Sequence, residues 1–311
     1  MRLNNPEYPK DGILLIDKEE GSTSHDIVKG IRRILGHRKV GHAGTLDPFA
    51  TGLLIILIGQ GTKLSPYLMA GKKRYLATVR LGTETDTLDP TGRIINEVPV
   101  PDLSESEAEK ILTGFEGVIE QVPPAFSAIN INGQRAYKLA RKGFDVKLDK
   151  RRITIYSIGL VDFDLPDVTI DVECSPGTYI RSLASDIGRQ MGSGAHLKKL
   201  RRVSSGSFKI KDAFAWKDLN SSSGEGFKKE IIPLKEALPD MPGIEVDDGM
   251  ADRIKKGHRP SREYLTEKGE LPDTFAGNLK LFSKSSLAAV LEIEGLEDRG
   301  NKWLKKIRVF N

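Results

Sequence analysis

Strand-like and helix-like segments follow one another along this chain without a regular alternation. Period-two or apolar patterns bounded by turn residues predict strands at residues 12–16, 75–81, 153–163 and 168–174. Apolar residues at helical spacing predict a helix with Ser24 as its N-cap and Gly36 as its stop, and a second helix from about Ile180 to Gly188. A doubly wound sheet requires strict alternation of strands and helices, so this order favours an α+β fold.

Two shorter signals complete this part of the chain. The apolar run at residues 53–58 is too short for a helix by itself and predicts a buried element. Ser104 and Glu107 have the spacing of a capping box, which predicts that another helix begins there.

The C-terminal part of the chain has a different pattern. A Ser/Gly-rich stretch at residues 220–226 predicts a mobile linker. From about Gly243, short strand-like segments are separated by glycines and charged turns, which fits a small β domain. We therefore predict two domains, residues 1–240 and 241–311. The chain length of 311 residues also suggests about two domains, at roughly 150 residues for a common domain.

Composition excludes several classes of protein. The chain has 38% hydrophobic and 29% charged residues, as ordinary globular proteins do. The only cysteine, Cys174, cannot form an internal disulfide or a Cys-rich zinc site, and the five histidines have no metal-ligand spacing. The longest strongly apolar run is far shorter than the roughly 18 residues of a membrane span, and we read no signal peptide. We expect a cytoplasmic protein that binds no metal and no membrane.

The net charge of +5 is modest, but the basic residues occur in clusters. Examples are residues 72–74, 150–152 and 198–202. Clusters that share one face would attract a phosphate backbone, whereas separate clusters would only be solvated turns and helix ends. Charge alone leaves both interpretations open.

The most informative stretch is KVGHAGTLDPFATGL, residues 39–53. Asp47 lies in it between the turn-forming Gly44 and Pro48, which biases the aspartate toward an extended backbone. A carboxylate fixed beside an apolar run is a candidate nucleophile or base. Taken alone, the pattern favours the simpler role of an aspartate that stabilises its own turn.

Five ordered motifs resemble those of the bacterial tRNA pseudouridine synthase B family. They are GHAGTLDPFATGLL, KRY with LGTETDTLDPTG, QVPPAFSA with GQRAY, CSPGTYIRSL and GAHLKKLRR, between residues 41 and 202. The resemblance covers roughly residues 12–210. It implies a pseudouridine-synthase-type mixed, largely antiparallel sheet flanked by helices. It also implies, more weakly, a C-terminal PUA-like β-barrel that binds RNA.

The resemblance implies that the chain isomerises uridine 55 in the T-loop of tRNA to pseudouridine, without a cofactor. The site residues it implies are Asp47, Tyr75 and Arg181 for catalysis, and His42, Tyr179, Leu200, Arg141 and Lys142 for substrate binding. The target base lies inside a folded loop and must be flipped out before its bond to the sugar is broken. Asp47 must be ionised, and Arg181 would favour that form while Tyr75 offers a flat face for uracil. Asp86 and Asp89 are interpreted as turn caps only.

The segment at residues 125–149 is rich in glycine and basic residues. We predict that it is a mobile RNA-clamping element whose cations, among them Arg135, Lys138, Arg141 and Lys142, contact phosphates.

Two other functions fit the same motifs. One is a tRNA-folding chaperone in which catalysis is secondary, and the other is a guide-RNA-dependent synthase that acts with partner proteins. We expect a monomer that binds the T-stem-loop of tRNA and needs no guide RNA.

Overall fold

A computed structural model describes residues 10–36, 39–131, 133–144, 146–221, 229–269, 271–272, 274–284, 286–295 and 303–311. Its strands are β1 (Gly12–Lys18), β2 (Val40–His42), β3 (Thr51–Ile58), β4 (Lys73–Leu81), β5 (Thr83–Thr85), β6 (Ile94–Glu97), β7 (Gly117–Gln121), β8 (Asn130–Ile131), β9 (Gln134–Arg135), β10 (Arg151–Asp164), β11 (Asp167–Cys174), β12 (Ala195–Ser205), β13 (Phe208–Lys209), β14 (Phe214–Ala215), β15 (Ile232–Pro233), β16 (Gly243–Glu245), β17 (Gly277–Phe282), β18 (Leu287–Ile293) and β19 (Leu304–Val309). Its α-helices are α1 (Ser24–Leu35), α2 (Ser65–Met69), α3 (Glu105–Thr113), α4 (Ala136–Arg141), α5 (Ile180–Gln190), α6 (Trp216–Ser221), α7 (Asp248–Lys255) and α8 (Arg262–Gly269). Short 3-10 helices cover Gly59–Leu64 and Ile210–Asp212.

One large mixed sheet organises the fold, as the predicted α+β class requires. Its strand order is β14-β1-β3-β12-β4-β11-β10-β7, and β2, β13 and β15 pair along its sides. Most neighbours are antiparallel, while β1 with β14 and β3 with β12 are parallel. β12 comes late in the chain and yet lies between β3 and β4. It therefore joins two early parts of the chain into one sheet.

The strand β3 explains the apolar run at residues 53–58. Nearly every residue of Thr51–Ile58 is buried, and its two faces pack into different apolar clusters. One cluster includes the apolar face of α1, and the other includes Phe310 from the end of the chain. The predicted buried element is thus a central strand covered on both sides.

Helix ends follow the capping signals, with one correction. The N-cap of α1 is Thr23 and not Ser24, because the Thr23 hydroxyl accepts a hydrogen bond from the backbone N–H of Asp26. The Asp26 carboxylate in turn accepts a hydrogen bond from the backbone N–H of Thr23. Gly36 ends α1 in the left-handed conformation, as predicted. Ser104 and Glu107 form the predicted capping box of α3. Helix α5 extends slightly beyond the predicted stop at Gly188.

The C-terminal residues form a second, four-stranded sheet in the order β16-β17-β18-β19. This sheet has its own apolar cluster with α7 and α8. Leu287, Val290 and Phe310 also pack against Ile13 and Leu57 of the large sheet. The structure shows a small sheet where a barrel was expected, so the barrel stays a prediction.

Two further expectations concern segments away from the sheets. The linker predicted at residues 220–226 begins at the end of α6, and the remainder lies outside the described residues. Within the described part of the chain, no helix is long and apolar enough to cross a membrane.

Candidate active site

A cavity of about 860 Å³ opens beside the centre of the large sheet. The loop after β2, the β5–β6 hairpin, the segment after β7, the start of α5 and one face of β12 surround it. The predicted site residues that line it are His42, Asp47, Tyr75, Arg141, Tyr179, Arg181 and Leu200. The fold thus gathers residues that are far apart in the sequence into one cavity.

Asp47 and Arg181, which both line this cavity, form an ion pair. Arg181 Nε lies 3.0 Å from Oδ2 of Asp47, and Nη2 lies 3.5 Å from Oδ1. The Arg181 side chain is only 7% exposed, whereas the Asp47 side chain is 33% exposed. The carboxylate can therefore meet a substrate while its partner stays covered by protein.

Arg181 has a second buried carboxylate partner, Asp89. Arg181 Nη1 lies 3.1 Å from Asp89 Oδ2, and both side chains are almost fully buried. Asp89 also caps its turn as predicted, because Oδ1 accepts hydrogen bonds from the Thr91 backbone and from the hydroxyls of Thr87 and Thr91. Turn capping explained Asp89 in the sequence, so its contact with Arg181 was missed. Asp86, in contrast, accepts hydrogen bonds from the backbone and side chain of nearby Arg93.

Opposing effects act on the protonation of Asp47. Burial raises the pKa of its carboxyl group above the ordinary value, and the negative charge of Asp89 acts in the same direction. The guanidinium of Arg181 and the ammonium of Lys18 oppose this rise. The net pKa is raised, so ionised Asp47 is less well solvated here than at a protein surface and is correspondingly more reactive as a base or nucleophile.

Buried polar groups fix the loop that carries Asp47. The Lys18 side chain is fully buried, and its Nζ donates to the carbonyl oxygens of Glu19, Ser22 and Pro48. Burial lowers the pKa of Lys18 to about 8. Because Pro48 directly follows Asp47, this hydrogen bond restrains the loop that carries Asp47.

Ser24 adds another restraint from the start of α1. Its hydroxyl accepts from the backbone N–H of Leu46 at 2.9 Å and donates to the Leu46 carbonyl at 3.2 Å. The serine that the sequence suggested as a helix cap therefore holds the residue before Asp47.

The walls of the cavity come from two strands and the start of α5. Tyr75 on β4 and Leu200 on β12 line it, and both pack against the main apolar cluster. Burial raises the pKa of the Tyr75 phenol, so it is protonated at neutral pH. Tyr179 is held by the buried amide of Gln121, which accepts from the Tyr179 N–H at 2.8 Å and donates to its carbonyl at 3.1 Å. Sequence reasoning did not single out Gln121.

His42 faces the cavity from the end of β2. Its Nδ1 atom is buried and has no hydrogen-bond partner among the described residues. Burial lowers the pKa of His42, and the charge of Arg202 lowers it further, so the imidazole is neutral at pH 7. A neutral imidazole has one donor and one acceptor nitrogen, so a ring that lines the cavity is suited to a hydrogen bond with a polar substrate group.

The two remaining predicted residues lie on the segment after β7. Arg141, at the end of α4, lines the cavity and stacks over the ring of Tyr137 at 5.6 Å. Lys142 caps α4 and is exposed, but it does not line the cavity. Within the described residues, no group of His, Cys, Asp or Glu is placed to hold a metal ion.

Comparison with known proteins identifies the family of this chain. A family model described as "TruB family pseudouridylate synthase (N terminal domain)" matches residues 32–180, and one described as "tRNA pseudouridylate synthase B C-terminal domain" matches residues 181–239. The chain is 47% identical to tRNA pseudouridine synthase B of Clostridium kluyveri, over 79% of this chain and 84% of that protein. It is 39% identical to tRNA pseudouridine synthase B of Geobacter sulfurreducens, over 97% of this chain and all of that protein.

Two solved structures show the same fold. An H/ACA RNP bound to a substrate RNA containing 2′-deoxyuridine matches with a TM-score of 0.73, covering 99% of this chain and 91% of that chain. A Cbf5-Nop10-Gar1 complex matches with a TM-score of 0.74, covering 99% of this chain and 90% of that chain. Both are 24% identical to this chain, so they support the fold alone. The sequence relatives and the family models carry the assignment further, and the chain belongs to the TruB family of pseudouridylate synthases.

Proposed function

We propose that this isomerase converts uridine 55 in the T-loop of tRNA to pseudouridine, with Asp47 as the catalytic group. The single observation that carries the proposal is the partly exposed Asp47 carboxylate, paired with buried Arg181 in a cavity walled by Tyr75 and Leu200. The relatives' names supply the tRNA substrate, and the motif resemblance supplies the position of the uridine.

The cavity suits the chemistry in three respects. A flipped nucleotide needs an enclosed pocket, and 860 Å³ accommodates a nucleotide. The C1′–N1 bond breaks and C5 bonds to C1′; C5 then loses its proton and N1 gains one, so the isomerisation is balanced. The freed uracil must be retained while it turns. Tyr75 and Leu200 provide apolar surface for stacking, and the motion requires no redox group. Three routes use the same carboxylate, namely attack on the base, attack on C1′ or removal of a sugar proton.

The roles of the other site residues follow from their places in the cavity. Arg181 holds Asp47 in one orientation and favours its ionised form. Tyr179 closes the wall above the base, and His42 meets the RNA near the flipped nucleotide. Arg141 contacts phosphate at the rim of the cavity, and Lys142 contacts it farther out.

We also propose that residues 1–240 form the catalytic domain and residues 241–311 an RNA-binding, PUA-like domain. The separate apolar cluster of the C-terminal sheet supports this division, and the family models end at residue 239. The proposed enzyme is a cytoplasmic monomer that needs neither cofactor nor guide RNA, and an asymmetric tRNA requires no two-fold partner.

The decisive experiment uses an unmodified tRNA transcript and purified protein without any added cofactor or RNA. Carbodiimide modification followed by reverse transcription maps pseudouridines as stops. We expect one stop, in the T-loop, with the wild type and none with Asp47→Asn. Asp171→Asn serves as a matched control, because Asp171 pairs with Arg74 on the surface of the sheet and should keep full activity.

Other outcomes would contradict the proposal. A stop elsewhere would replace the proposed target, and a stop with Asp47→Asn would remove Asp47 from the mechanism. Bound and refolded tRNA without any stop from the wild type would favour the chaperone function, and activity that appears only with added guide RNA would favour the guided one.

The clamp formed by residues 125–149 has its own test. Within its described residues, only Ser127 and Ala136 are buried. We expect hydrogen exchange of its amides to slow severalfold when tRNA is added, while amides of β3 stay unchanged. Equal exchange with and without tRNA would contradict the clamp.

A further inference from the structure

Arg202 is a buried cation that lies outside the proposed catalytic group. The residue is only 2% exposed, and it belongs to the central strand β12. No carboxylate in the described part of the chain lies within ion-pair distance of it. A buried charge is costly unless its donors are satisfied, so the partners of this guanidinium indicate what it does.

Three backbone carbonyls accept its hydrogen bonds. Arg202 Nε donates to Leu53 O at 2.7 Å, Nη2 donates to Gly44 O at 3.1 Å and Nη1 donates to Thr45 O at 3.3 Å. Gly44 and Thr45 precede Asp47, and Leu53 follows it. The planar guanidinium of Arg202 therefore binds both ends of the segment that carries the Asp47 carboxylate.

The same residue lies next to the strand of Tyr75. In the sheet, Arg202 is the partner of Tyr75 on β4 and of Gly52 on β3. Gly52 has a positive φ, and a Cβ there would lie 2.4 Å from the Arg202 carbonyl oxygen, so only glycine permits this approach. Arg202 thus stands where the Asp47 loop and the Tyr75 strand meet.

We propose that Arg202 is a positioning residue that fixes the Asp47 carboxylate relative to the Tyr75 ring. The inference rests on the proposed roles of Asp47 and Tyr75. Its charge also opposes the rise that burial causes in the pKa of Tyr75, which is consistent with the proximity of the two side chains. A lysine cannot replace it, because one ammonium cannot reach carbonyls at both ends of the loop with the geometry of a planar fork.

The test compares Arg202→Lys and Arg202→Met with the wild type in single-turnover reactions on the tRNA transcript. We expect the rate at saturating enzyme to fall by about 100-fold in Arg202→Lys, because a displacement of about 1 Å at a reacting group has that effect. The dissociation constant for tRNA should stay within threefold. Arg189→Lys is the matched control, because Arg189 lies on the exposed face of α5 and pairs with Asp186, and it should keep the wild-type rate.

Each outcome decides the question. A lower rate with unchanged tRNA affinity and a folded protein, shown by circular dichroism, supports positioning. A rate within threefold of the wild type overturns it, and so does weaker tRNA binding with an unchanged rate. If both substitutions abolish cooperative folding, Arg202 determines the fold and the proposal fails. Wild-type activity and the Asp47→Asn variant are measured in parallel, so failure of the proposed function itself would be seen separately.

Discussion

The loop of Asp47 and the segment at residues 125–149 both line the same cavity, and they are built in opposite ways. The loop is held by side chains that are themselves buried, namely Lys18, Ser24 and Arg202. The segment is mostly exposed, and its short elements β8, β9 and α4 lie over the surface. One wall of the cavity is thus rigidly supported and the other is lightly supported.

This difference separates two requirements of the reaction. The chemical step needs a carboxylate whose position is fixed before the substrate arrives. Capture of a folded tRNA needs a surface that adjusts to a large, charged and uneven partner. Arg181 connects the two walls, because it pairs with Asp47 and its Nη2 also donates to the carbonyl of Phe126 at 2.9 Å.

The largest effect on the rate is expected from a substitution of Asp47. We expect Asp47→Asn to lower the rate of pseudouridine formation by about 10⁴-fold or more, while tRNA binding is retained. Because burial raises the pKa of Asp47, its ionised form is disfavoured in the folded chain, and the substitution should not lower stability at pH 7. Urea unfolding at pH 7 checks the second expectation. A lower stability of Asp47→Asn would show that the ion pair with Arg181 stabilises the folded chain by more than burial of the Asp47 carboxylate destabilises it.

Arg181 is the next most sensitive position, because it contacts both walls. Arg181→Met leaves Asp47 and buried Asp89 without their cation, and breaking such a buried pair costs about 3–5 kcal/mol. We expect a roughly 10³-fold lower rate and a lower urea midpoint. Arg189→Met is the control on the same helix, and it should change neither quantity. An equal effect of both variants would point to helix α5 as a whole.

The pH dependence of the rate tests the ionisation of Asp47, which lies in the rigidly supported wall. Asp47 must be ionised to act, so the single-turnover rate should rise about tenfold per pH unit in acid and then level off. The raised pKa of Asp47 places this limb at a higher pH than for an exposed aspartate. The pKa of His42 is lowered by burial, so its protonation adds no step at the ordinary histidine value of about 6.5. A rate that is independent of pH in acid would contradict the role of Asp47.

Substitutions in the lightly supported wall should have the smallest effects. Arg141→Ala with Lys142→Ala removes two exposed cations without a buried partner. We expect several-fold weaker tRNA binding and a salt dependence that is smaller by roughly one unit for each phosphate that is no longer neutralised. The rate at saturation should stay within threefold. The matched control is Lys110→Ala on α3, outside the cavity lining.

The sequence predicted the residues that line the cavity better than the residues that support them. Asp47, Tyr75, Arg181 and Leu200 lie in distinctive motifs, and the structure brings them to one cavity. The strands at residues 153–163 and 168–174 also form where the sequence predicts them, the second from its alternating pattern.

The supporting contacts were beyond sequence reasoning for physical reasons. Lys18 and Arg202 are charged, so pattern reading places them at the surface, yet both are buried and satisfied by carbonyls of distant residues. Asp89 has a complete local explanation as a turn cap, which conceals its contact with Arg181, 92 residues away. Ser24 and Thr23 are both suitable caps by residue type, but Thr23 forms the capping box with Asp26 while Ser24 binds the distant Leu46.

The position of β12 has a consequence for the order in which the protein is made. β3 and β4 emerge from the ribosome early, but they lie on opposite sides of a strand that ends at Ser205. Until that strand is synthesised, β4 has an open edge along its whole length, which is a template for unwanted pairing. Asp47 and Tyr75 stay on separate halves of the sheet during this time. A nascent chain therefore gains its active site in one late step, and the interval before that step is when it most needs protection from aggregation.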